Sequence, residues 1–146
     1  MQELSRYLFL AGALPFLLLG TAHAMHTPSR PTDRKGLSPS DPSLAASMAR
    51  SKILLTGRTD MWRAWVGFNL SHSLGVVLFG VLVLLVGRTS ASFAYNAALF
   101  LPLVVVVSMA YLSLGAAYWF RTPIIGIGLS AFLFSAAWVL YLVGRQ

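Results

Sequence analysis

The chain has 146 residues, 57% of them hydrophobic and only 10% charged, with a net charge of +7 and no cysteine. Soluble domains carry about 25% charged residues, so a soluble core clothed in polar surface is excluded, and disulfides, thiolate metal sites and a cysteine nucleophile are excluded with it. The cations flank apolar runs and no phosphate-binding loop or nucleic-acid motif occurs, so the basic balance points to anionic lipid headgroups and not to nucleic acid.

Four stretches carry no charged residue: Tyr7–Ser29, Ala64–Gly87, Thr89–Phe120 and Thr122–Gly144. Each can supply the ~20 residues that an apolar helix needs to cross a bilayer. They predict an all-α integral membrane protein, a single transmembrane domain, with spans over about 5–25, 62–86, 93–118 and 123–143 and a loop over 26–59. The first stretch has two readings. One is a signal peptide, with Arg6 as its basic start and Ala22-His23-Ala24 as its cleavage site; the other, favoured on length, is a retained span bent near Pro15.

The long loop divides in two. Residues 27–42 hold four prolines and should be irregular. Asp41-Pro42 then reads as an N-cap and first helical position, opening a short helix over about Ser43–Leu55. Leu44, Met48 and Leu55 share one face of it, which leaves two readings: an interfacial helix with Arg50 and Lys52 toward headgroups, or a solvated linker helix. Thr59 is the expected cap of the second span, with Asp60 in its first turn, where the helix dipole favours an anion, and Trp62 and Trp65 at the water–lipid boundary. A short turn at Gly87–Ser90 leads to the third span, and Arg121 stands in a still shorter connection to the fourth. Short loops make these helices antiparallel neighbours, hence an up-down-up-down four-helix bundle.

The second span has two notable faces. Gly67, Ser71 and Gly75 stack at i, i+4, i+8, a small-residue stripe for close helix packing, with Gly126 and Ser130 of the fourth span as a partner of the same kind. Trp65, Phe68, Asn69, His72 and Val76 form another face. Burying Asn69 and His72 in hydrocarbon without partners costs several kcal/mol, so both should point into the bundle. His23, near the end of the first span, is the expected partner of His72, and Tyr118 near the end of the third span joins from the same membrane side. The tentative ligand site is therefore His23, Trp65, Asn69, His72 and Tyr118. His23 and His26 form an HxxH pair without a carboxylate or cysteine, too little for a metal site, so no metal and no cofactor is assigned. His23 with His72 is also a geometric option for two axial haem ligands. No paired carboxylates lie near a span, so acid–base enzyme chemistry has no support and the chain is read as a non-enzyme.

The run from Thr59 to Gly75, TDMWRAWVGFNLSHSLG, with Leu19-Gly20-Thr21-Ala22-His23 and Ser40-Asp41-Pro42, resembles a family of small, uncharacterised bacterial integral membrane proteins with four spans. Asp60 stands where that family has a small hydroxyl residue. The resemblance implies four retained spans in a bacterial inner membrane and no particular activity. Two functions remain open. One is a small binding or carrier module with a polar pocket, in one half of the bilayer, for a lipid-like or quinone-like molecule. The other is a structural accessory subunit that packs on a larger membrane partner or on its own copies. Membrane lipids are partners in either case.

Overall fold

The computed structural model describes residues 1–144. Its elements are α1 (Gln2–His26), α2 (Pro42–Arg50), β1 (Lys52–Ile53), β2 (Thr56–Asp60), α3 (Met61–Gly87), α4 (Ser90–Tyr118) and α5 (Arg121–Val143). Four of these helices, α1, α3, α4 and α5, are long and apolar enough to cross a membrane. At 1.5 Å per residue they measure roughly 35–44 Å, more than the ~30 Å of hydrocarbon, so their ends reach the headgroup zones. The chain is a multi-pass membrane protein. It divides into two compact units, residues 1–19 with 76 onward and residues 20–75.

In the first unit the bundle is knit by one buried face of each helix. Phe9, Ala13 and Phe16 of α1, Val76 and Val83 of α3, Phe93, Ala97, Leu101 and Val104 of α4, and Phe134 and Ala137 of α5 form its core. Glycines set the closest approaches. A Cβ at Gly12 would stand 2.4 Å from the Phe134 ring, one at Gly80 2.8 Å from Leu17, and one at Gly87 2.6 Å from Leu10. The Leu10–Gly87 and Leu17–Gly80 pairs make α1 antiparallel to α3, and Phe93 against Tyr141 with Gly115 against Ile124 makes α4 antiparallel to α5. That is the up-down-up-down order. The opposite faces are apolar as well: Leu14, Leu18, Leu78, Leu129 and Phe132 are all at least half exposed, and Leu103 nearly so. A soluble protein would not leave so much contiguous apolar surface to water.

Gly126 was expected to face α3. It meets Leu19 of α1 instead, at 2.7 Å from a Cβ built there. Ser130, one turn on, is fully buried with its hydroxyl unpaired.

The N-terminus of α1 is fastened into the same unit. Arg6 donates to the Gly87 carbonyl at 3.0 Å and pairs with Glu3 at 2.9 Å, and the Ser90 hydroxyl donates to Glu3. Ser5 donates to the Ala137 carbonyl at 2.7 Å. Cleaving the chain after Ala24 would remove Phe9, Ala13 and Phe16 from this core.

In the second unit, residues 27–41 have no regular structure but are tied down. The Leu37 amide donates to the His26 carbonyl at 3.1 Å, and Gly36 packs so closely on His26 that a Cβ would come within 2.7 Å of the ring. Asp33 accepts from the amides of Arg30 and Ser29, which hold its carboxyl below the ordinary value. Trp62 is buried, its indole N–H toward the Ser29 carbonyl at 3.4 Å, so it clamps the loop instead of facing lipid. Asp41 caps α2 as expected, accepting from the hydroxyl and amide of Ser43, which lower its pKa.

Two details depart from expectation. The helix predicted to Leu55 ends at Arg50, and Lys52–Asp60 forms an antiparallel hairpin. Only Ala45 of α2 is buried, while Leu44 and Leu55 are exposed. The cap of α3 is Asp60, the last residue of β2, rather than Thr59: its carboxylate accepts from the Arg63 amide at 2.9 Å.

Candidate functional site

The polar residues of the second unit converge where the last turns of α1 and the first turns of α3 meet. His23 Nε2 lies 2.9 Å from Asn69 Oδ1, and the Asn69 amide nitrogen donates to the Trp65 carbonyl at 2.8 Å. A carbonyl only accepts, so the contact with Trp65 fixes which end of the Asn69 amide is nitrogen. Oδ1 therefore faces His23, and His23 must donate through Nε2–H. The neutral ring then carries its lone pair on Nδ1. The His72 ring stands edge to face against His23, with centroids 5.3 Å apart and planes at 69°.

Local helix chemistry supports each member. Asn69 is 7% exposed, so its amide is desolvated and both of its ends need partners, which Trp65 and His23 supply. Ser73, 2% exposed, donates back to the Asn69 carbonyl at 2.9 Å. Thr27 donates to the His23 carbonyl at 2.8 Å and closes the end of α1 beneath that side chain. Asn69 and His72 are 8 and 11 residues past the start of α3, or about 12 and 17 Å along its axis. The cluster therefore belongs to one half of a ~30 Å hydrocarbon slab.

The arrangement offers directional hydrogen bonds in an apolar setting. The Asn69 amide holds one imidazole in a defined tautomer, with its N–H committed to Oδ1, and a second imidazole stands against that ring. Among the described residues no group of three or more His, Asp or Glu comes together that could hold a metal ion. His26 turns its Nδ1–H to the Ala22 carbonyl at 2.7 Å, so that ring is committed to its own helix. As haem ligands, His23 and His72 would have to part to admit a porphyrin between rings that now touch, and His23 would have to give up Asn69. The residues do not fit that group.

The other predicted members fall as follows. Trp65 contributes its carbonyl to Asn69, while its indole packs on Trp62 with centroids 5.3 Å apart. Phe68, expected on the inward face, is 71% exposed. Tyr118 belongs to the other compact unit and is 79% exposed at the end of α4, beside the adjoining Trp119–Phe120 pair. Such aromatic bands are usual at membrane interfaces. Gly67, Ser71 and Gly75 are all exposed, and apart from the neighbouring backbone of α3 itself no described atom comes within 4 Å of a Cβ built on either glycine.

Ser73 and Thr27 escaped the sequence reading. The signal for Ser73 was present in the alternating 3–4 spacing of Trp62, Val66, Asn69, Ser73, Val76, Gly80, Val83 and Gly87, the seam of a left-handed helix pair. Compared with known proteins, the chain matches no family model, no curated protein and no solved structure.

Proposed function

We propose that this membrane protein is a small binding module, whose His23–Asn69–His72 cluster holds the polar head of a lipid-like or quinone-like molecule. The observation that carries the reading is the His23–Asn69 bond of 2.9 Å with His72 against the same ring. An asparagine that serves helix packing alone needs one partner across the interface. Here the amide orients an imidazole, and a second imidazole stands beside it, in a chain with three histidines in all. A quinone carbonyl or a headgroup oxygen accepts a hydrogen bond from an imidazole N–H, which on this reading is that of His72 because the His23 N–H is committed to Asn69, and an apolar tail continues into the acyl region. Ionisable side chains within spans mark such sites more often than ordinary packing does.

The test is purification of the full chain in a mild detergent, followed by solvent extraction and mass analysis of whatever remains bound. The same measurement is made on His72→Leu and Asn69→Leu. Wild type should retain a stoichiometric small molecule, and both variants should lose it while keeping their helical content. Asn69→Leu should also lose about 1–3 kcal/mol of stability, because His23 is left without its acceptor. Retention of the molecule by both variants at the wild-type level sinks the assignment. Full stability of His72→Leu with nothing bound in wild type means that the cluster only packs helices.

A second reading is favoured by a different observation. The Gly67–Ser71–Gly75 stripe of α3 is uncovered, and a stripe of this kind lets another helix approach closely. On that reading the chain is an accessory subunit of a larger membrane complex, or pairs with its own copies. A stoichiometric protein partner in the same purification favours it. We also infer membership of the small bacterial four-span proteins that Thr59–Gly75 resembles, and residence in a bacterial inner membrane.

A further inference from the structure

We propose that the Lys52–Asp60 hairpin is an interfacial anchor: its tip, Leu54-Leu55, inserts into the headgroup–acyl boundary of a bilayer rich in anionic lipid, and the cations around it hold the phosphates. Leu54 is 107% exposed and Leu55 93% exposed, the two most exposed large apolar side chains among the described residues. They form the two-residue connection between Ile53 and Thr56, which pair across the hairpin. Leucines at a solvent-facing turn bury nothing within the chain, and turns ordinarily carry Gly, Asn, Asp or Pro.

The base of the hairpin is fixed to the membrane-crossing helix. β2 runs into α3 without an intervening residue, and the Met61 amide donates to the Ser51 carbonyl at 2.9 Å. Leu54 and Leu55 are three and four residues beyond Ser51, so they stand at most about 10–14 Å from Ser51, the residue hydrogen-bonded to the first residue of α3. The 27 residues of α3 measure about 40 Å, some 10 Å more than the hydrocarbon core, which leaves the helix start among the headgroups. The leucines are thus within reach of the acyl boundary, where apolar interfacial segments bury themselves by about 5–10 Å.

Charge selects the kind of lipid. Arg50, Lys52, Arg58 and Arg63 are all exposed around the hairpin and its junction with α3. The acid of the stretch, Asp60, is turned inward to cap α3 through the Arg63 amide. A basic collar around an apolar tip matches an anionic leaflet, and would repel a second basic collar on another copy. The anchor differs from the interfacial helix foreseen from sequence: α2 ends before it, and the apolar contact is made by a turn.

The chain has no cysteine, so Leu55→Cys gives a single attachment point for an environment-sensitive fluorophore, and Thr32→Cys gives a control in the proline-rich loop. Both positions are exposed, so the labels disturb no packing. The full protein is reconstituted in phosphatidylcholine bilayers with and without phosphatidylglycerol. In anionic bilayers the label at 55 should be blue-shifted, quenched by nitroxide lipids, and protected from aqueous iodide by about threefold or more relative to the label at 32. Adding Lys52→Gln and Arg58→Gln, or omitting phosphatidylglycerol, should reduce that protection. Iodide quenching at 55 equal to that at 32 in anionic bilayers overturns the proposal. Protection unchanged by lipid charge overturns the role of the cations. Protection that grows with the protein-to-lipid ratio assigns the tip to a second copy and overturns the lipid assignment.

Discussion

The glycines of this chain fall into two kinds, told apart by what a methyl group would meet. At Gly12 a Cβ would stand 2.4, 2.7 and 2.9 Å from three atoms of the fully buried Phe134 ring. Alanine gains about 1 kcal/mol of helix propensity over glycine, but overpacking a dense core costs about 1–3 kcal/mol, and a ring enclosed on all sides has nowhere to go. Gly12→Ala should therefore lower the midpoint of thermal unfolding in detergent. Gly75→Ala meets nothing within 4 Å and should leave that midpoint unchanged or raise it. If the stripe docks on another helix, Gly75→Leu should abolish that association without unfolding the chain, as size-exclusion with light scattering would read.

At the scale of elements, the start of α1 closes the turn between α3 and α4. The last carbonyls of a helix have no partner within it, and Arg6 supplies one for Gly87 while stacking over Tyr7 with 4.7 Å from guanidinium to ring centre. The Arg6 side chain is 13% exposed and Glu3 54%, so the bond to Gly87 should matter more than the ion pair, which water screens. Arg6→Leu should cost about 1.5–3 kcal/mol, the range for hydrogen bonds to charged groups. Glu3→Gln should cost less, and the comparison of the two in chemical unfolding separates the contributions. An Arg6→Leu chain as stable as wild type would mean that the clasp does not hold the turn.

For the whole molecule, four spans taken in chain order predict that residues 27–59 and the Arg121 connection lie on one side of a membrane, and both chain ends with the Arg88 turn on the other. The first side carries Arg30, Arg34, Lys35, Arg50, Lys52, Arg58, Arg63 and Arg121; the second has Arg6, Arg88 and Arg145, the last outside the described residues. By the positive-inside rule the long loop is expected in the cytoplasm and the chain ends outside. Alkaline phosphatase fused after Gln146 should then be active, and a fluorescent protein fused there should be dark. The reverse pair of results inverts the orientation. With the loop inside, the hairpin anchor faces the leaflet whose anionic surface suits its cations.

Architecture was legible in the sequence because it depends on quantities that add along the chain. A helix of twenty apolar residues must satisfy its own backbone in lipid whatever its neighbours are, so four charge-free runs specified four spans, and short turns specified antiparallel order. Asn69, His72 and His23 were legible for a related reason: polar side chains in hydrocarbon require partners, and few were on offer. The rest depended on rotation of one helix against another and on single side-chain contacts. The small-residue stripe of α3 suited close packing equally well against α5 or against nothing in the chain, and only packing turned it outward and set Gly126 on Leu19 of α1. The hairpin gave no local signal. Its two-residue turn holds no glycine, no described residue has a positive φ, and hairpin turns are otherwise recognised by both. Trp62 reads as an interface aromatic from its position, yet the loop folds over it and buries it, a long-range closure that no periodicity encodes.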